Sequence, residues 1–219
     1  MKQSSINGQI TILKSFFSWL LEEEYILKNP AKKLKRTKEP KRLRHALSKK
    51  EVELFRIACI TDREKALTEF LYSTGCRLSE VVGVNISDIN WAEKTLFVIG
   101  KGDKEREVCF DTRTELYLHK YINSRNDENE ALFVTGKGSH NRLGGRSIEK
   151  EISKIAKRAG LDKEVFPHLF RHSFATHKLN SGISINIIQG LLGHETSATT
   201  QIYTETSREN IIHEYRRVS

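Results

Sequence analysis

From Phe166 the chain reads F-P-H-L-F-R-H-S-F-A-T-H, followed by an apolar run from Ile183 to Leu192, then Gly193, His194 and, nine residues later, Tyr203. Pro167 suits the first turn of a helix, which places His168 and Arg171, three residues apart, on one face near its N-terminus. Free N–H groups and the positive dipole end favour anions there, and a guanidinium fork with an imidazole completes a phosphate site. His194 brings a second imidazole and Tyr203 a phenol. One arginine, two histidines and a phenol at one anion suit attack on a phosphodiester, with the tyrosine oxygen as nucleophile once a base takes its proton.

Each residue alone has an ordinary explanation. A His-x-x-Arg pair on a helix is usually a surface pair. His172 and His177 raise the local histidines to four, but the spacing lacks the i, i+4 pairing with a carboxylate or the Cys-x-x-Cys of zinc motifs, so no metal is expected. In order and spacing, however, H-x-x-R-H, L-L-G-H and the tyrosine after them closely resemble the C-terminal half of the tyrosine recombinases, the phage-integrase and Xer-type family.

The resemblance extends upstream. T-G-C-R-L-S-E, from Thr74 to Glu80, resembles the family's T-G-x-R-x-S-E segment, whose arginine is catalytic, and Arg77 matches it. Glu80, one helical turn on, is spaced to orient that guanidinium. Two β-type runs, Thr95 to Ile99 and Glu105 to Phe110, flank the glycine-bearing hairpin loop G-K-G-D-K. The family places at this hairpin the lysine that acts as general acid for the leaving 5′ oxygen. Lys101 matches it, with Lys104 as the fallback. The resemblance thus implies a catalytic set of Arg77, Lys101, His168, Arg171, His194 and Tyr203. The two arginines would clamp the non-bridging oxygens. Attack would give a 3′-phosphotyrosyl bond and a free 5′-OH, and a second strand's 5′-OH would reverse the step. The covalent bond conserves the phosphodiester energy, so no cofactor is expected: neither nucleotide nor metal.

The elements that must hold these groups are mostly helices. Periodicity predicts a helix over residues 6–27, with Ile6, Ile10, Leu13, Phe17 and Leu20 as one stripe and Ile12, Phe16 and Trp19 as a second. Two stripes call for more than one partner. S-K-K-E at Ser48 to Glu51 is a capping box opening a further helix. Others are expected over about 63–73, ending at Thr74-Gly75, and over 112–124, 147–159 and 207–217. An extended run at 131–135 precedes a glycine-rich loop carrying Lys137, His140, Arg142 and Arg146, which reads equally as solvated loop or as DNA-backbone contact. Tyr215 sits at helical spacing with Ile211 and Ile212, which suggests packing.

The 219 residues carry 37 Lys or Arg against 28 Asp or Glu, a formal net charge of +9. Eleven of the basic residues lie between Lys28 and Lys50 beside one acid, Glu39, so this stretch carries all the excess. Lys32, Lys33, Lys35, Arg36, Lys41, Arg42 and Arg44 belong to it. Such a block points to a polyanionic partner, here double-stranded DNA. The three cysteines, Cys59, Cys76 and Cys109, have neither metal nor disulfide spacing and fit a reducing cytoplasm. No run approaches membrane-span length, and no membrane partner is expected.

The fold expected is mainly α with a small antiparallel β-sheet around residues 86–110. Residues 1–30 resemble the last helix of the family's N-terminal core-binding domain, most of which is not in this chain; 31–47 read as a basic linker and 48–219 as the catalytic domain. The family's final segment often docks on a neighbouring protomer, so a homo-oligomer assembled on DNA, with accessory proteins, is the implied setting. Two other functions fit parts of the sequence. One is a type IB topoisomerase that nicks and reseals a single strand. The other is a non-catalytic helix-turn-helix DNA-binding protein, with its helices over 168–180 and 184–192.

Overall fold

The computed structural model describes residues 3–37, 45–100, 102–103, 105–136, 138–193 and 215–217. Lys41, Arg42, Arg44, Lys101, Lys104, Lys137, His194 and Tyr203 lie outside the described residues, as does most of the helix expected over 207–217. Two compact units are present, Met1–His45 and Ala46–Ser219.

In the first unit, α1 (Gln3–Glu22) ends five residues before the apolar periodicity does. Glu24 enters the left-handed region at φ 59°, and the Tyr25 and Glu24 amides turn back to the Leu20 and Leu21 carbonyls at 2.9 and 3.2 Å. This is a Schellman-type stop made without glycine. A 3₁₀ turn, Pro30–Lys33, follows under an Asn29 cap. Beyond it the chain pairs with α1: Arg36 donates to Thr11 Oγ1 at 2.9 Å, and the Thr37 amide donates to Asn7 Oδ1 at 2.9 Å. Lys32, Lys33, Lys35 and Arg36 are all exposed. The second apolar stripe is open, with Ile12, Phe16 and Trp19 exposed.

The second unit is mainly helical around a small antiparallel sheet. Its entry is the expected capping box: Ser48 Oγ accepts from the Glu51 amide and Glu51 from the Ser48 amide, opening α2 (Lys49–Ile57). A second box, Thr61 with Glu64, opens α3 (Asp62–Thr74), the central helix, which packs against α5 (Thr112–Asn123) and α7 (Pro167–Asn180). Helix α4 (Leu78–Gly83) leads to a sheet of order β1-β2-β3: β1 (Ile89–Asn90), β2 (Thr95–Ile99) and β3 (Glu105–Cys109). The hairpin register pairs Leu96 with Val108 and Val98 with Arg106. Helices α6 (Gly145–Arg158) and α8 (Ile185–Leu192) complete the unit. The main core gathers Phe55, Leu67, Phe70, Leu118, Ile152 and Phe170; a second cluster joins Phe174, Ile188, Leu191, Leu192 and Tyr215.

The glycine-rich loop differs from one of its two readings. Residues 131–135 make isolated bridges, Asn85 with Ala131 and Val134 with Arg142. Arg142 turns inward, donating to the Val82 and Val84 carbonyls at 2.8 and 3.1 Å. His140 holds the Thr135 carbonyl at 3.1 Å. Arg142 ties this segment to the end of α4, whose last carbonyls need donors, and His140 bonds locally to the extended run before it. Arg146 remains exposed in the first turn of α6.

Candidate active site

Arg77 and Arg171 stand 94 residues apart in sequence, and two tight turns bring their surroundings together. The first is Gly75, which ends α3 at φ 61°. A Cβ there would lie 2.8 Å from Phe174 Cδ1 and 2.9 Å from Leu192 Cδ2. Only glycine combines that backbone with that contact. The second is Gly193, which ends α8 at φ 62°.

A helix end leaves its last carbonyls without intrahelical donors and carries the negative end of the dipole. At the end of α8, three consecutive carbonyls each accept from a different arginine. Leu191 accepts from Arg106 Nε at 3.0 Å, Leu192 from Arg171 Nη2 at 2.5 Å, and Gly193 from Arg77 Nη2 at 2.8 Å. Arg171 Nη1 also donates to the Gly75 carbonyl at 2.8 Å, so its fork joins the two turns.

Glu80 sits beneath this group with its side chain fully buried. Its Oε1 accepts from Arg77 Nη1 at 2.9 Å and from Arg106 Nη1 at 2.5 Å. Its Oε2 accepts from Arg106 Nη2 at 2.8 Å and from the Arg77 amide at 2.6 Å. Burial pushes the Glu80 carboxyl up, but the Arg106 fork and the Arg77 amide outweigh it and hold the group below the usual carboxylate range. Arg171 is only 2% exposed. Burial first, then the charges of Arg77 and Arg106, pull its pKa down to about 10, so it is charged at neutral pH but in need of an anion.

Three guanidinium charges against one carboxylate leave a net charge of two. A guanidinium has five N–H donors, and the contacts above use two of Arg77's and two of Arg171's. The donors left over suit the non-bridging oxygens of a phosphate diester. Among the described residues no three His, Cys, Asp or Glu side chains converge as metal ligands do.

The sequence-derived residues separate into two groups. Arg77, Glu80 and Arg171 come together as described. His168 lies exposed in the first turn of α7, three residues from the buried Arg171. The anion-binding charge therefore gathers at the Gly75 turn and the end of α8, where the guanidinium of Arg171 is fixed, more than at the α7 N-terminus. Lys101, His194 and Tyr203 lie outside the described residues. His177 bonds Tyr72 through Nδ1 at 2.6 Å. Tyr215 is packed, as its spacing suggests: it is 2% exposed, stacks on Phe174 and donates to the Ser73 carbonyl at 3.0 Å. Sequence reasoning missed Arg106. The available signal was the strand period, which puts Arg106 and Val108 on one face, and Val108 is core.

A profile of the phage integrase family matches residues 36–210. A curated tyrosine recombinase XerC of Oceanobacillus iheyensis is 36% identical over 99% of this chain and 75% of its own length. XerC of Bacillus subtilis is 34% identical over 98% of this chain and 74% of its own. Among solved structures, that of XerA recombinase superposes with a TM-score of 0.67 at 32% identity, covering 99% of this chain and 76% of that one. XerH recombinase bound to its difH substrate shares the fold, with a TM-score of 0.67 at 24% identity over 93% of this chain and 62% of that one.

Proposed function

The chain belongs to the phage integrase family, and on that premise we propose that it is a site-specific DNA recombinase acting through a tyrosyl–DNA intermediate. The observation that carries this reading is the fastening of Arg77, at the N-cap of α4, and Arg171, within α7, to adjacent carbonyls at the end of α8, at 2.8 and 2.5 Å. Two guanidinium forks held in that way are preorganised for a phosphate whose charge grows during attack.

In the proposed reaction Tyr203 attacks the scissile phosphorus while His168 and His194 bond the phosphate or assist removal of the phenolic proton. An unperturbed phenol, with a pKa near ~10, is only about a thousandth ionised at neutral pH and needs that help. The bond to the 5′ oxygen breaks as Lys101 gives it a proton. The product is a 3′-phosphotyrosyl ester and a 5′-OH; attack by a partner strand's 5′-OH exchanges the strands and frees the tyrosine. Arg77 and Arg171 supply the charge that metal ions supply in two-metal nucleases, so the reaction is expected to proceed in EDTA.

Double-stranded DNA is the substrate, and the basic residues Lys32, Lys33, Lys35, Arg36, Lys41, Arg42 and Arg44 are assigned to phosphate contacts, together with Arg146 at the start of α6. We take 48–219 as the catalytic domain, 31–47 as its basic linker and 1–30 as the last helix of a core-binding domain. Assembly of several copies on DNA through the C-terminal segment, with accessory proteins, belongs to the same reading. A topoisomerase-like enzyme and a helix-turn-helix regulator are not favoured: the family match covers both arginine segments.

The test is covalent capture on a nicked duplex. Wild-type protein, incubated in EDTA with a pool of such duplexes from its own genomic neighbourhood, is expected to form an adduct stable to denaturing electrophoresis, and Tyr203→Phe is expected to form none. DNA binding without any adduct would revive the regulator.

A further inference from the structure

We infer that Arg106 is a positioning residue of the active site, which keeps Arg77 available to the phosphate by taking up the charge of Glu80. The inference rests on the recombinase reading above and concerns a residue outside the catalytic set carried over from the family.

Glu80 is a fully buried carboxylate with two arginines on it, and the two are not equivalent. Arg106 meets both carboxylate oxygens through its two terminal nitrogens, at 2.5 and 2.8 Å. The Arg77 guanidinium meets one, at 2.9 Å. A bidentate fork is the stronger match for a carboxylate, so Glu80 is principally Arg106's partner. Arg77 is thereby oriented without being neutralised.

Without Arg106, the buried carboxylate would have Arg77 as its one remaining guanidinium partner among the described residues. A lone buried charge draws its available counter-ion into a closed pair. Arg77 would then turn its fork toward Glu80, and the net charge facing a phosphate would fall from two to one.

Arg106 also acts on the other wall. Its Nε holds the Leu191 carbonyl at 3.0 Å, and its Cδ lies 2.8 Å from where a Cβ on Gly193 would stand. The glycine that precedes His194 is therefore shaped by the passage of this side chain as well as by its own left-handed backbone. The position of Arg106 follows from the hairpin register, which sets it opposite the buried Val98.

The test is a double-substitution cycle read by single-turnover adduct formation at saturating DNA. Arg106→Gln is expected to slow cleavage by about a hundredfold, the scale for a lost preorganised donor, with DNA affinity changed only a few-fold. Glu80→Gln in the same chain removes the unbalanced carboxylate and restores the charge of two, so the double variant is expected to recover at least tenfold over Arg106→Gln. A residue that merely packs gives no such rescue: a double variant as slow as, or slower than, Arg106→Gln would overturn the inference, as would an Arg106→Gln rate equal to wild type. Circular-dichroism melts accompany each variant. If Arg106→Gln does not fold, the cycle is run with Arg106→Met, which fills similar space and likewise removes the charge; rescue by Glu80→Gln then supports the inference, and its absence overturns it. Failure of the recombinase reading is distinct, since wild-type protein would then form no adduct.

Discussion

The Arg77 guanidinium donates to the Gly193 carbonyl at 2.8 Å across 116 residues of chain, so the residue that opens α4 is fixed by the turn that closes α8. Gly193→Ala should disturb that tie. The left-handed backbone, at φ 62°, costs an alanine about 1–2 kcal/mol, and the new methyl meets Arg106 Cδ at 2.8 Å. A melting temperature lower by roughly 2–8 °C and slower adduct formation are expected. Unchanged values for both would show that the turn does not govern the site.

Arg171→Lys tests the fork itself. Arg171 spans the Gly75 and Leu192 carbonyls at 2.8 and 2.5 Å, a reach that one ammonium cannot reproduce. Cleavage is expected to fall by about a hundred- to a thousandfold while salt-sensitive DNA binding stays within a few-fold. A cleavage rate within tenfold of wild type would remove Arg171 from the clamp.

Titration of Arg171 gives a sharper reading of the site's charge. Burial, then the charges of Arg77 and Arg106, lowers its pKa to about 10, well below the ordinary arginine range. Below pH ~10 the group is protonated in both folded and unfolded chains, and the cost of burying its charge is fully present. Above that point, and until the unfolded chain also titrates, the folded chain has lost its proton first, so this group's contribution to stability rises with pH there. In protein labelled with ¹³C at arginine Cζ, one guanidinium should titrate near pH 10 and move to higher pH when sulfate or DNA is added. Absence of any guanidinium titration below about pH 11 would contradict the account.

The cysteines should be chemically silent in the native protein. Cys59, Cys76 and Cys109 are all buried, and burial pushes the Cys59 and Cys76 thiols up to about 11. Thiolate is the reactive form. A disulfide reagent at pH 7.5 should therefore modify the protein only as fast as it opens, and fully once urea unfolds it. Rapid labelling of the folded chain would place a thiol at the surface.

Much of this architecture is local in origin and was readable as such. Ser48 with Glu51, Gly75 after α3 and Pro167 at the first turn of α7 each act within a few residues, so their spacing alone marks the element. The hairpin that pairs β2 with β3 is equally local. Three features were not readable, each for a physical reason. Helix α1 stops at Glu22 through a left-handed glutamate, a conformation that sequence does not flag when the residue is not glycine or asparagine. Arg142 reads as a loop cation, yet its acceptors are the Val82 and Val84 carbonyls, 60 and 58 residues away. Arg106 reads as one more charge in E-R-E-V-C, and its meaning appears only when the sheet register and the end of α8 bring it to Glu80. Groups that act across long loops depend on tertiary placement, and no local spacing encodes it.

Covalent joining of Tyr203 to DNA is tested by peptide mapping of the captured adduct. Trypsin separates the two tyrosines at issue: Tyr203 falls in the peptide from Leu179 to Arg208 and Tyr215 in that from Glu209 to Arg216. After nuclease trimming, mass spectrometry should find the nucleotide on the 179–208 peptide, with 209–216 unmodified. A nucleotide on the 209–216 peptide would contradict the account, because it would require Tyr215 to leave its stack on Phe174 and serve as the nucleophile.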